Sequence, residues 1–530
     1  MKKIFIAAAL LASLFSCRKS ELELQNPSTY DFETYFRSSE AINQATVATY
    51  ATLMHQGLWA REYYFIFDLL GYDAKKTSNM QGDMAQLAEY NFGPEQVQLT
   101  QLWQSLYRII FRANVVEDRA IAWNPTLDAD KLKVAQYVAE AKFLRAYAYF
   151  NLVSLWGGVP LHKTYNETIN NNYLPRATAA DVWAFVEKDL KDAQAVLPVV
   201  YGNADLGRAT KGAATALLGR VYLFQQKWGP AQAELVKLTQ APYTYALEKD
   251  YNANFTPTNQ NTKENIFQAM NAAWTDWGLG SQYYMFGGAE SQPSAGGKVT
   301  HSGRAQEYGF NDWDNMYVST AAVNAFTYPN PVGGAPYTDP RAKFTFYGSA
   351  ASGGATVYCE QCTGGAINFP FNAADQQGYY KWKKYEYYDR VKSYGAPISS
   401  INGQIIRFAD VLLMLAETHI QQGDVGDAPR QYIDSVRSRS GAELYTTLGD
   451  KTNAMNLLMR ERQLELCGEQ QRYFDLIRWG IAKQTLNAIR KAEPGDGKEP
   501  FLDKHVLFPI PNAEKNYNPN VLAGVQGEWN

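Results

Sequence analysis

The stretch LGRVYLFQQKWGPAQAEL, Leu218–Leu235, decides the reading of this chain. Leu218-Gly219-x-x-Tyr222 is followed nine residues later by Ala231-x-x-x-Leu235, with Pro242 beyond. This approaches the tetratricopeptide pattern, in which small residues let two antiparallel helices close and large ones fill the seam. The spacing recurs in LAETHIQQGDVGDAPRQY, Leu415–Tyr432. There Ala416, His419, Ala428 and Tyr432 each stand 197 residues after Gly219, Tyr222, Ala231 and Leu235. Two hairpins with one internal spacing predict a mainly α, tetratricopeptide-like helical-repeat scaffold.

Outward from the first hairpin, helical periodicity dominates. Val134, Val138, Ala141, Leu144, Ala148, Leu152 and Leu155 fall on one face of a helix over Lys131–Trp156, which Gly157, Gly158 and Pro160 stop. A second helix starts at Thr178, with Asp181 completing an approximate capping box, and Pro198 ends it. A third starts near Thr210. From Tyr251 to Ser400, Gly, Pro, Asn and Ser break the helical period. Lys343–Tyr347 and Tyr379–Tyr385 alternate as short strands would. Helical patterns resume at Ile405–Gln421, Ala428–Arg439, Asn453–Leu466 and Arg472–Ile489, and the tail from Phe501 is irregular. The expected division is a helical-repeat region over 31–250, a loop-rich mixed insertion over 251–400, and C-terminal helices with an irregular tail over 401–530.

The first residues are of another kind. MKKIFIAAALLASLFSC carries two lysines and then an apolar run of secretory length, too short to span a bilayer as a helix of about 20 residues. Leu14-Phe15-Ser16-Cys17 resembles a bacterial lipobox. Residues 1–16 then form a lipoprotein signal peptide, Cys17 carries the lipid, and 17–30 form a flexible leader.

Composition narrows the function. The 530 residues allow roughly three to five domains. A net charge of −3 argues against a nucleic-acid binder. Nucleophile-elbow, P-loop, dinucleotide and zincin signatures are absent. Five histidines, never paired at i, i+4, and four cysteines leave little for a metal centre. His419, at the repeat seam, reads as a packed imidazole. Cys359-x-x-Cys362 reads as a local disulfide in an exported protein, with free thiols or metal and redox chemistry as alternatives. No cofactor is expected; a structural calcium at Asp312, Asp314 and Asn315 is the weakest reading.

The unusual quantity is aromatic content, 14%, with 36 Tyr, 25 Phe and 12 Trp. The rings cluster in the insertion: Trp274, Trp277, Tyr283, Tyr284 and Phe286, then Tyr308, Phe310, Trp313 and Tyr317. Gly, Ser, Asn and Gln separate them, so they are poor candidates for one core stripe. Sugars have apolar C–H faces and hydroxyl rims, which a ring beside amides or carboxylates suits. The expected ligand-binding residues are Trp274, Trp277, Tyr283, Tyr284, Trp313, Asp312 and Asp314. The loop Gly71–Gly82, with Tyr72, Asp73 and Asn79, is a second candidate.

Several longer stretches share one resemblance. They are Trp103-x-x-x-Tyr107 with Arg112-Ala113-Asn114, Ala139–Tyr147 through Gly157–Leu161, Arg407–Glu417, Val436–Gly441, Glu461-Arg462 with Glu465-Leu466, Arg472–Gly480, and Phe508-Pro509-Ile510-Pro511. In this order they resemble the SusD/RagB family of Gram-negative outer-membrane nutrient-binding lipoproteins. The departure is Gln526-Gly527-Glu528-Trp529, where a Gln-Asn-Pro-Gly run is usual; little consequence is expected.

The resemblance implies a non-enzymatic protein at the cell surface, lipid-anchored, that delivers an oligomer, usually a glycan, to a partner TonB-dependent transporter. It implies a structural role for Arg472, Asp475, Arg478 and Trp479. The alternatives are peptide capture on the same fold, and a surface glycoside hydrolase using Asp312 or Asp314.

Overall fold

The computed structural model describes residues 34–78, 80, 82–165, 173–256, 259–271, 315–346, 380–385, 401–493, 499–522 and 529, and the backbone of 32–33, 347, 355–358 and 366–369. Leaving aside turns of four to six residues, its helices begin with α1 (Ser39–Ala51), α2 (Glu62–Leu70), α3 (Val97–Trp123) and α4 (Asp128–Trp156). They continue with α5 (Ala179–Val196), α6 (Lys211–Phe224), α7 (Trp228–Leu235), α8 (Phe408–Gln421) and α9 (Asp427–Ser440). The last long ones are α10 (Lys451–Glu465), α11 (Arg472–Arg478) and α12 (Ala482–Ala492).

Local chemistry sets the boundaries of the scaffold. On α4, Val134, Ala141, Leu144, Ala148, Leu152 and Leu155 are buried, as their period requires. Thr178 Oγ1 accepts the Asp181 amide at 3.1 Å and starts α5, and Thr210 Oγ1 accepts the Ala213 amide at 3.1 Å and starts α6. A β-carbon on Gly219 would lie 2.6 Å from the Leu235 side chain, so glycine there is what lets α6 and α7 close.

The two repeats, α6–α7 and α8–α9, stack on one another. Gln232 Nε2 on α7 donates to His419 Nε2 on α8 at 2.7 Å, while His419 Nδ1 donates to Asp424 at 2.7 Å. Both imidazole nitrogens are thereby spent on protein, as a packed seam residue demands.

A tighter approach occurs at Gly57, where an added β-carbon would meet the Gln101 carbonyl oxygen of α3 at 2.1 Å. Backbone cannot swing aside as a side-chain tip can. Gly57→Ala is therefore expected to destabilise by about 1–3 kcal/mol, measured by chemical denaturation.

Ten short strands pair in five antiparallel couples among the described residues. They are β1 (Ala74–Lys76), β2 (Asn265–Ala269), β3 (Met316–Val318), β4 (Thr327–Pro329), β5 (Pro336–Thr338), β6 (Phe346–Tyr347), β7 (Ala355–Tyr358), β8 (Ala366–Phe369), β9 (Lys381–Trp382) and β10 (Gly403–Arg407). The couples are β1 with β3, β2 with β10, β4 with β5, β6 with β9 and β7 with β8.

Three expectations are corrected. Ile405–Arg407 is strand rather than helix, because both isoleucines are buried and the segment pairs with β2; the helix starts at Phe408. Arg472–Ile489 is two helices, separated at Gly480, whose φ of +70° ends α11. Of the two alternating stretches, Ala342–Thr345 is a helical turn; only Phe346–Tyr347 and Lys381–Trp382 are strand.

The tail folds back onto the scaffold. The Trp156 indole N–H donates to the Pro509 carbonyl at 2.8 Å, and the Phe508 amide to the Leu155 carbonyl at 2.7 Å. Trp529 has a definite part here. Its indole N–H is shared between the Lys504 and Leu507 carbonyls at 2.8 and 2.9 Å, and its ring stacks on Phe92 at 5.8 Å.

Candidate ligand-binding face

The β1–β3 couple joins the two regions singled out by their sequence. Ala74, Lys75 and Lys76 pair with Val318, Tyr317 and Met316. The Thr77 amide continues the ladder to the Asn315 carbonyl at 2.9 Å. Beyond this couple, one chain runs on through the Gly71–Gly82 loop and the other leads back towards Asp312-Trp313-Asp314. Val318 also bridges Tyr380, from which β9 continues to β6. Beneath this patch lie Tyr64, Phe65, Met80, Met316, Phe346 and Trp382 as an apolar floor.

The described members of the second candidate lie in the interior. Tyr72 and Asp73 are 2% and 1% exposed. Ser319 ties both to the start of the helical turn after β3: its hydroxyl donates to the Tyr72 carbonyl at 2.6 Å, and its amide to the Asp73 carbonyl at 3.0 Å. The Asp73 carboxylate accepts the Gly468 amide at 3.2 Å and lies 3.8 Å from Arg472 Nε. Burial pushes its carboxyl up to about 6, against the opposing pull of Arg472 and the Gly468 amide. Trp274, Trp277, Tyr283, Tyr284, Asp312, Trp313, Asp314, Asn79, Cys17, Cys359 and Cys362 lie outside the described residues. Tyr317 is described and is 8% exposed, with the Lys75 ammonium 5.9 Å from its ring centre.

The insertion is fastened to the C-terminal helices by buried charge. Arg341, fully buried, grips Asp339 with two bonds of 2.8 Å and reaches Glu461 at 2.6 Å and Glu465 at 3.0 Å. Arg407 binds Glu469 through two nitrogens at 2.7 and 2.8 Å, Glu264 at 2.8 Å and Glu465 at 2.6 Å. Arg437 holds Glu461 at 2.8 Å, Arg439 spans Glu264 and Glu465, and Lys384 reaches Glu469 at 2.8 Å. Five cations (Arg341, Arg407, Arg437, Arg439, Lys384) thus face five carboxylates (Asp339, Glu264, Glu461, Glu465, Glu469). Such charges are tolerated in an interior only when paired and hydrogen-bonded.

A second balanced cluster contains most of the residues expected to be structural. Arg462 bridges Asp410 at 2.7 Å and Asp475 at 2.8 Å, and Arg220 also binds Asp410. Arg478 joins Asp475 at 2.8 Å to Glu417 at 2.7 Å, and the Trp479 indole N–H donates to Glu417 at 2.8 Å. The Arg478 guanidinium stands 4.7 Å from the Trp479 ring centre. These groups brace α11 against α8 and α10.

The periodicity of the sequence left Asp339, Arg341, Glu264 and Glu469 unmarked. Their partners lie up to 175 residues away, and no local spacing records that distance. Among the described residues no cluster of three or more His, Cys, Asp or Glu is arranged to hold a metal, and no helix is long and apolar enough to cross a membrane.

Comparison with known proteins agrees with this architecture. The family model described as "SusD family" matches residues 263–525, and one described as "Starch-binding associating with outer membrane" matches residues 22–223. The SusD-like protein P25 of Formosa agariphila is 26% identical over 98% of each chain. The crystal structure of a SusD superfamily protein from Bacteroides vulgatus superposes with a TM-score of 0.75 at 25% identity, covering 94% of this chain and 100% of that one. A laminarin-binding SusD-like protein shares the fold with a TM-score of 0.69 at 24% identity, over 93% of this chain and 99% of that one. With two family models spanning nearly its whole length in order, and a helical-repeat architecture to match, this chain belongs to the SusD/RagB family.

Proposed function

We propose that this protein is an outer-membrane surface lipoprotein, anchored through Cys17, that captures an oligosaccharide and hands it to a partner TonB-dependent transporter without cleaving it. Family membership supports this reading, as does the match over 22–223 to a family described as starch-binding and associated with the outer membrane. The observation that carries it is the family match over both halves of the chain, and the β1–β3 couple stands next in sequence to the aromatic run that ends at Tyr317. Rings such as Trp277 and Trp313 would take the C–H faces of a sugar, and carboxylates such as Asp312 and Asp314 its hydroxyls. No cofactor is needed for such capture.

The test is a glycan array probed with the full-length protein in detergent, followed by separation of any products from each glycan bound. Binding without products is expected. Cleavage abolished by Asp314→Asn would make the protein a hydrolase instead. Trp277→Ala or Trp313→Ala is expected to weaken binding by about 1–3 kcal/mol in calorimetry, with the fold intact. Unchanged affinity in both variants would move the site elsewhere.

A further inference from the structure

A cleft of about 350 Å³ opens between the loop after α5, the segment after α7, and strand β2. It lies at the low end of small-ligand pockets, roughly 300–1,000 Å³, with room for about one or two sugar rings. Its walls carry three half-buried tyrosines, Tyr201, Tyr243 and Tyr245, and three side-chain amides, Asn261, Asn265 and Gln268. None of these residues is among those proposed above to hold the ligand, although the three amides fall within 251–400.

The rings are held in place from behind. The Tyr201 hydroxyl donates to the buried Glu140 at 2.9 Å. The Tyr243 hydroxyl lies 3.3 Å from Thr215 Oγ1, and that of Tyr245 lies 3.4 Å from Thr210 Oγ1. Tyr243 and Tyr245 lie nearly parallel, 16° apart, with centroids at 5.9 Å. With their polar tips bound to protein, the rings offer apolar surface to the cleft, Tyr243 more than Tyr245, which also stacks on Phe408 at 6.2 Å.

Arg208 is already spent, while Lys263, also on the wall, is exposed. Arg208 binds Glu140 at 2.9 Å and Asp205 at 2.8 Å, so it holds little attraction in reserve for a phosphate or carboxylate. The amides are different. Gln268 Oε1 receives the Asn402 amide group and the Asn261 backbone amide, each at 3.3 Å, which fixes which end of the side chain is which. Its Nε2 then has no acceptor among the described residues, although the residue is only 4% exposed. Buried donors are seldom left unmatched in native proteins.

We infer that this cleft is an accessory sugar site for a neutral mono- or disaccharide unit. Tyrosine faces take the C–H surface, and amides at Asn261 and Gln268 take hydroxyls after a small adjustment. The inference rests on the reading of the chain as a carbohydrate binder. It adds a second point of attachment, which would raise the hold on a chain long enough to reach both sites.

The test uses the full-length protein in detergent and the double variant Trp277→Ala/Trp313→Ala. Maltose, cellobiose, laminaribiose and xylobiose are titrated by saturation-transfer NMR. At least one is expected to bind both proteins alike. Adding Tyr243→Ala to the double variant should weaken that binding about two- to tenfold, the worth of one ring contact. Asn261→Gly, which suits the φ of +58° at that position, should also weaken it while sparing the fold. Absence of disaccharide binding to the double variant, or binding indifferent to both cleft substitutions, overturns the inference. If the array shows oligosaccharide binding while the cleft fails, only the accessory site is lost. If the array is blank, the carbohydrate reading itself has failed.

Discussion

Arg407→Met is expected to lower the stability of this protein by about 3–5 kcal/mol in urea unfolding, the cost of leaving buried carboxylates without their cation. Arg407 is 1% exposed and touches Glu264, Glu465 and Glu469 at once. Without it, five carboxylates face only Arg341, Arg437, Arg439 and Lys384. Methionine fills much of the volume but donates nothing. Arg407→Lys should recover only part of the loss, because one ammonium cannot reproduce the paired bonds to Glu469. A loss below about 1 kcal/mol for Arg407→Met would show that water or a rearranged partner replaces the guanidinium, and the network would lose its claim to fasten the insertion.

The second large effect is acid unfolding, which should be steep below about pH 4.5. Arginines beside Asp410 and Glu465 hold these carboxyls well below their ordinary values of 3.8 for Asp and 4.5 for Glu, and Arg341 lowers Asp339, in each case outweighing burial. A folded-state value below the unfolded one means stability that is fully present above the unfolded value. It is lost as pH falls through the window beneath. Each unit of depression contributes about 1.4 kcal/mol, so several such groups together are decisive.

Two histidines begin the loss earlier. Burial lowers His55 and His505 from 6.5 to about 4, so the unfolded chain takes up their protons first and stability declines from about pH 6.5 downward. Asp73 works the other way: raised to about 6, it adds stability as pH falls from 6 towards 3.8. Urea midpoints measured from pH 7 to 3 should therefore fall gently and then sharply. A flat profile through pH 4 would contradict the ion-paired core.

The legible part of the molecule was the part written in short distances. Helix starts at Thr178 and Thr210, the stop at Gly157 and the small residue at Gly219 each follow from neighbours within a few positions, and the structure places them as the spacing requires. The seam at His419 was readable because two hairpins share one internal spacing. The strand at Ile405–Arg407 was not, since a run of apolar residues before a helix looks helical until a partner strand is known.

Sequence alone determined the helical repeats, the lipobox-like start and the crowding of aromatic residues between Trp274 and Tyr317. Tertiary structure alone decided that Asp73 turns inward and that Trp529 docks under the tail. It also decided which carboxylate neutralises which arginine across more than a hundred residues. The reason is physical. Helical period and capping depend on residues one to four apart, which the order of the chain preserves, whereas burial and ion pairing depend on which distant segments meet, and that is fixed only when the whole core closes.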